Sequence, residues 1–309
     1  MRTVALVAGV VAASALAGAV VWSNGFSDFA GGLVRRWAGP RQVRVAAIQF
    51  DGVPGTVADN ADKAERLIRD AAAQGARYIL LPEVYALFPA ARDHRPVDEV
   101  RKEAETVPGP LTDRMVRLAR ALDVHIAFGM SERRAEDLYN SVALVGPRGI
   151  EGTYAKRALI TNRGVKARME RLTGRPAPEP PSDAVDEAMT FTRGKGVAVV
   201  DWGGVRTGVL VCADGGWDPF WRETVGANAE LIVWPTSSFG ASAPWELSLG
   251  DRARRHGVPI VFANRTRPAI EVGYSAIVDR DGKVVAEAGT HRDAIIVADV
   301  HVGAPAASR

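Results

Sequence analysis

The lone cysteine of the chain, Cys212, follows the apolar run Gly208-Val209-Leu210-Val211 and opens the turn Ala213-Asp214-Gly215-Gly216. Glu83 comes just after another apolar run, Tyr78-Ile79-Leu80-Leu81, which Pro82 stops because proline has no N–H for a ladder. Lys156 follows the strand-like Ile150–Tyr154. All three therefore stand at the C-terminal ends of expected strands, where ligands gather in α/β layers. Their chemistry is complementary. An amide carbon is a poor electrophile, and a thiolate is a strong enough nucleophile to attack it. A carboxylate can take the thiol proton, hand it to the leaving amine and later activate water. A nearby ammonium favours the thiolate and stabilises a tetrahedral oxyanion. The N–H of Ala213, in the tight turn, is a second candidate oxyanion donor. Against this stands the default for a lone cysteine, an inert buried thiol.

The bulk composition narrows the alternatives. Of 309 residues, 47% are hydrophobic and 24% charged, which is ordinary for a globular chain and argues against disorder. The net charge of +3 and the lack of any nucleic-acid motif exclude nucleic acid as a partner. One cysteine rules out an intramolecular disulfide and a cysteine-based zinc site. The five histidines, His94, His125, His256, His291 and His301, form no HExxH or HxH pattern, so a metal site has no support. His256, at the end of a basic helix, reads as a surface residue.

The elements that must position the three residues alternate in type. Val43–Ile48 reads as a strand. Asp59 can cap a helix in which Ala61, Ala64, Leu67, Ile68 and Ala71 share a face, and Gly75 ends it. Leu111–Leu122 reads as a helix and Val124–Met130 as a strand. Tyr139–Val145 and Ile150–Tyr154 form a hairpin. Gly196–Asp201, Val205–Val211, Leu231–Trp234 and Pro259–Ala263 are further strands, with helices over 218–227 and 245–256. Gly273–Asp279 and Val284–Ala288 pair around Asp281-Gly282, and Ala294–Val300 closes the series. Two sheets flanked by helices, a layered α/β or α+β architecture, follow from this order.

The N-terminus is distinct. Val4 to Trp22 carries no charge and nearly spans a hydrocarbon core of roughly 30 Å as a helix. Residues 1–22 are expected to be a retained transmembrane anchor or an exported chain's cleaved signal, for which Ala15-Leu16-Ala17 offers a site. Residues 23–40 read as a linker and 41–309 as the folded domain.

With these segments in place, the chain resembles the nitrilase superfamily, the carbon–nitrogen hydrolases. The resemblance rests on Val45-Ala46-Ala47-Ile48-Gln49, Leu80-Leu81-Pro82-Glu83, Tyr139-Asn140-Ser141, Gly152-Thr153-Tyr154-Ala155-Lys156 and Gly208-Val209-Leu210-Val211-Cys212-Ala213-Asp214. Ala229–Pro235, Arg252–Asn264 and Tyr274–Asp279 continue it to about residue 300. It implies a four-layer α-β-β-α sandwich, Glu83 as base, Lys156 as oxyanion stabiliser and Cys212 as nucleophile. It also implies no metal or organic cofactor, a small-molecule amide substrate, and homodimers or larger assemblies. Ala213, Trp217 and Tyr139 become candidate oxyanion or substrate contacts.

Members commonly carry a second glutamate seven or eight residues after the lysine, where this chain has Arg163 and Gly164. Glu170 is the candidate to replace it. The basic, Pro-rich stretch 161–187 reads either as a solvated loop or as a lid selecting an acidic substrate or touching lipid headgroups. Asp214 is expected to brace the turn. Three functions follow from these readings. The first is hydrolysis of a linear amide or N-carbamoyl compound, a nitrile being less suited, through a thioester. The second is N-acyl transfer to an amine. The third is a non-catalytic scaffold of the same fold.

Overall fold

A computed structural model describes residues 41–303 except 51–56, 85–96, 238–241, 268–270 and scattered positions between 162 and 185. Within this range a compact unit runs from Gln42 to Val302. The expected N-terminal apolar helix and linker lie outside the described residues. Among the described residues no helix is long and apolar enough to cross a membrane.

The first half builds one sheet from β1 (Arg41–Gln49), β2 (Tyr78–Leu80), β3 (His125–Arg134), β4 (Asp137–Gly146) and β5 (Gly149–Ala155). The last strand, β14 (Ala294–Val302), joins it at β1, giving the order β14-β1-β2-β3-β4-β5. β1, β2 and β3 run parallel, and β3-β4-β5 is an antiparallel meander. The second half builds the other sheet from β6 (Val199–Trp202), β7 (Val205–Val209), β8 (Leu231–Thr236), β9 (Ile260–Asn264), β12 (Ala276–Val278) and β13 (Val284–Glu287). Its order is β13-β12-β9-β8-β7-β6, with β7, β8 and β9 parallel at its centre. A small ribbon, β10 (Thr266–Arg267) with β11 (Glu271–Val272), had no sequence signal.

Among the described residues, period-two alternation along the strands separates the three largest of four apolar clusters. In β1, Val45 and Ala47 face the second sheet, whereas Ala46 and Ile48 face α1 (Val57–Ala73) and α3 (Pro110–Leu122). In β8, Leu231 and Val233 face the first sheet, whereas Ile232 and Trp234 face α5 (Asp218–Gly226) and α6 (Ser242–His256). Each strand is thus apolar on both faces, as a buried parallel sheet requires. Helices, sheet, sheet and helices make the four expected layers. Asp59 lies inside the first turn of α1 rather than before it, where a carboxylate still complements the helix dipole. Gly75 takes a φ of +86° just past that helix, as a C-terminal stop should. The predicted strand 196–201 is shifted to Val199–Trp202, and α2 (Val97–Glu103) was not foreseen.

Candidate active site

Cys212, Glu83 and Lys156 converge from three strand ends. Glu83 follows β2 of one sheet and Cys212 follows β7 of the other, and both contact the backbone of Ser237 at the end of β8. β5 delivers Lys156 beside them. Both charged side chains are only 2% exposed, and they pair directly, Nζ to Oε1 of Glu83 at 2.8 Å.

A third charged residue completes the cluster. Glu187, opening the short helix α4 (Glu187–Thr190), places Oε1 2.9 Å from the same Nζ. The second glutamate is therefore Glu187. Glu170 instead pairs with Lys166 at 2.7 Å, at the protein surface. The chain returns to the site at residue 187, tied to Ile160 in both directions. Glu187 N–H donates to the Ile160 carbonyl at 3.1 Å, and Ile160 N–H donates to Glu187 Oε2 at 2.7 Å. Sequence spacing pointed seven or eight residues past Lys156. The structure instead puts the carboxylate of Glu187 on Lys156.

Asn140, on β4, donates from Nδ2 to Glu83 Oε1 at 2.7 Å and to Glu187 Oε1 at 2.9 Å. The other oxygen of Glu83 accepts the Ser237 N–H at 2.9 Å, and the Cys212 thiol faces the Ser237 carbonyl at 3.8 Å. Ser237, just past β8, thus links nucleophile and carboxylate through its backbone N–H and carbonyl, contacts that side-chain type does not signal. Burial disfavours the charge on Lys156. The carboxylates of Glu187 and Glu83, with Cys212, outweigh it and hold the lysine pKa well above its usual value. Lys156 therefore stays an ammonium in the interior.

The turn carrying Cys212 is tightly held. Cys212 adopts φ +45°, a left-handed conformation costing roughly 1–2 kcal/mol for a side-chain-bearing residue. Such strain at a strand-to-helix turn aims a nucleophile and persists only where the surroundings fix it. Here the Trp234 Nε1–H donates to the Cys212 carbonyl and the Trp221 Nε1–H to the Gly215 carbonyl, each at 2.9 Å. Gly215 is required for this fit, because a Cβ there would lie 1.9 Å from the Trp234 ring. Gly129 on β3 has the same function under the base, since a Cβ would meet the Val84 nitrogen at 2.3 Å.

Asp214 braces more than its own turn. Its carboxylate accepts Ala158 N–H at 2.6 Å, Tyr154 O–H at 2.8 Å, and the N–H groups of Arg157 and Val211 at 3.1 Å. It thereby fastens the segment around Lys156 to the segment around Cys212. Burial raises the Asp214 pKa, opposed by these donors and by Lys156.

The remaining candidates divide. Ala213 follows the sulfur in the one-turn 3₁₀ segment Cys212–Gly216. Trp217 ends that segment, 58% exposed and stacked on Phe220 with centroids 6.3 Å apart. Tyr139 alternates away from Asn140 on β4 and packs under the Arg134 guanidinium, 4.6 Å from its ring centre. It does not join the cluster, because neighbouring strand residues face opposite sides of the sheet. His256 stacks on Trp221 at 5.3 Å, so it is a packing residue rather than a surface one. Among the described residues no three side chains cluster as metal ligands.

The carbon-nitrogen hydrolase family matches residues 44–307. The chain belongs to that family. Its relatives include a nitrilase of Pyrococcus abyssi, 28% identical over 84% of this chain and 89% of that one. The omega-amidase NIT2 of Homo sapiens is 26% identical over 83% and 88% of the two chains. N-carbamoylputrescine amidase of Solanum lycopersicum is 28% identical over 84% and 86%. Among solved structures, an amidase from Nesterenkonia sp. AN1 in complex with acrylamide superposes with a TM-score of 0.64 at 20% identity, covering 84% and 90% of the two chains. A CN-hydrolase superfamily protein of Xanthomonas campestris with an arsenic adduct in the active site gives 0.67 at 20%, with the same coverage. These likenesses establish the α-β-β-α fold of the carbon–nitrogen hydrolases. Family and fold together make this protein an amidase-like carbon–nitrogen hydrolase of the nitrilase superfamily.

Proposed function

We propose that the protein hydrolyses a linear carboxamide or N-carbamoyl compound through a thioester on Cys212. The observation that carries this reading is the buried Lys156 ammonium set against two carboxylates, with the only thiol of the chain one backbone residue away from Glu83. Glu83 takes the thiol proton as sulfur attacks the carbonyl carbon. Lys156 and the Ala213 N–H stabilise the oxyanion. The C–N bond breaks as Glu83 passes the proton to the leaving nitrogen. Water then attacks the thioester, giving its proton to Glu83, and the thiol and a carboxylic acid are released. The proton Glu83 takes from sulfur leaves with the nitrogen, and the one it takes from water returns to sulfur, so the free enzyme is restored. Trp217, exposed just past the cysteine turn, touches the substrate's non-reacting part in this reading. The domain works as a homo-oligomer, and the uncharged Val4–Trp22 segment tethers it to a membrane or directs its export.

Intact mass spectrometry with a panel of amides tests the reading. A thioester adduct on Cys212 is expected, lost on standing in water with release of amine or ammonia. An added amine that captured the acyl group in preference to water would make the protein a transferase. Normal turnover by Cys212→Ala would end the proposal.

A further inference from the structure

Lys156 supplies the charge that holds Glu83 and Glu187 together, but an ammonium is a point charge that rotates freely and directs neither carboxylate. The direction comes from another side chain. Nδ2 of Asn140 contacts the same two oxygens as Nζ, at 2.7 and 2.9 Å against 2.8 and 2.9 Å, so four heavy atoms close a ring of alternating donors and acceptors. The amide is planar, and its two N–H bonds point in fixed directions, one to each carboxylate. Its orientation follows from charge, because the reverse one would set the amide oxygen against both carboxylates. The arrangement leaves Asn140 Oδ1 buried without a hydrogen-bond donor. Such a group costs about 1–3 kcal/mol, and it is tolerated where a site imposes it. Asn140 also accepts the Lys156 N–H on its backbone carbonyl at 2.8 Å, so both partners of the ring are anchored to one residue.

We propose that Asn140 is a positioning residue that fixes the spacing of Glu83 and Glu187 on the single ammonium and keeps Glu83 ionised as the base without adding a charge. It neither meets the reacting atoms nor exchanges a proton. The titratable groups around it are Glu83 after β2, Lys156 after β5, Glu187 on α4, and Cys212 reached through Ser237. Taking one N–H from a carboxylate makes its proton harder to remove, so the acidic limb of thiolate formation moves to higher pH.

The proposal rests on the reading of Glu83 as the base for Cys212, and the test separates the two. Because the chain has one cysteine, alkylation by iodoacetamide followed by intact mass reports Cys212 alone and needs no turnover. Full-length wild type, Asn140→Leu and Glu83→Gln are compared across the acid to neutral range. For Asn140→Leu, similar in size but without N–H, the midpoint of alkylation is expected to rise by about one pH unit, the tenfold that a lost charge-assisted bond is worth. In turnover of a reporter amide, kcat is expected to fall by at least about tenfold with KM little changed, as for an interaction made in the transition state. A folded Asn140→Leu protein with the wild-type alkylation profile would overturn the proposal, even if its activity dropped, since packing alone would then explain the loss. Should that variant fail to fold, Asn140→Ser retains one donor and is expected to show a smaller shift in the same direction; an unchanged profile there overturns it equally. If Glu83→Gln and wild type alkylate alike, the base assignment fails instead.

Discussion

Replacing Asp214 by asparagine changes one atom in a carboxylate that accepts four donors, so its cost can be worked through bond by bond. Oδ1 accepts the N–H groups of Arg157 and Ala158, and Oδ2 accepts Tyr154 O–H and Val211 N–H. The asparagine oxygen would keep the first pair, because placing the NH₂ there would confront two fixed N–H donors. On the other side the Tyr154 hydroxyl can rotate and accept, but the Val211 N–H cannot. One buried N–H is orphaned, at about 1–3 kcal/mol, and the retained bonds lose their charge assistance. Relief of a buried charge offsets part of this, consistent with the raised Asp214 pKa. The expected destabilisation for Asp214→Asn is therefore about 2 kcal/mol, and Asp214→Ala, which loses all four bonds, should cost about 4 kcal/mol or more. Urea unfolding at neutral pH measures both. Activity should fall further than stability, because the carboxylate couples the lysine segment to the cysteine turn. An Asp214→Asn protein within about 0.5 kcal/mol of wild type and fully active would refute the bracing argument.

Three other outcomes follow from the site. Glu187→Gln should lower amide turnover by at least about tenfold, whereas Glu170→Gln should leave it within twofold, since only the former carboxylate touches Lys156; steady-state rates of the pair decide between them. Gly215→Ala should destabilise by about 1–3 kcal/mol and slow Cys212 alkylation, because a rigid tryptophan ring occupies the space of the new methyl. Lys156 has a folded pKa above its unfolded one, so its stabilisation is complete below the ordinary lysine value and declines as pH rises beyond it. Between about pH 10 and 11.5, wild type should lose more unfolding free energy than Lys156→Met, and a parallel decline of the two would contradict the pairing.

What the sequence revealed and what it concealed have separate physical origins. Runs such as Tyr78–Leu81 and Leu231–Trp234 are apolar without alternation because both faces of each sheet are covered, and that pattern survives in any alignment of residues with elements. Cys212 and Glu83 were visible because each comes after such a run, and Lys156 because it closes the edge strand Gly149–Ala155. Glu187 was not, since its approach to Lys156 depends on a chain reversal tied at Ile160, and a glutamate after a Pro-rich stretch carries no mark of its destination. Ser237 acts through its main chain, which leaves no trace in side-chain identity. Tyr139 adjoins Asn140 in sequence, yet strand geometry turns it to the opposite face.

The lone thiol at the strained turn also sets the oxidative chemistry of this chain. A sulfenic acid formed on Cys212 would meet no second cysteine to condense with, so no internal disulfide can intercept it before sulfinic acid forms. Rescue must come from a dissolved thiol able to reach a residue only 7% exposed. Peroxide should therefore silence the protein one molecule at a time while leaving its sheets and helices folded.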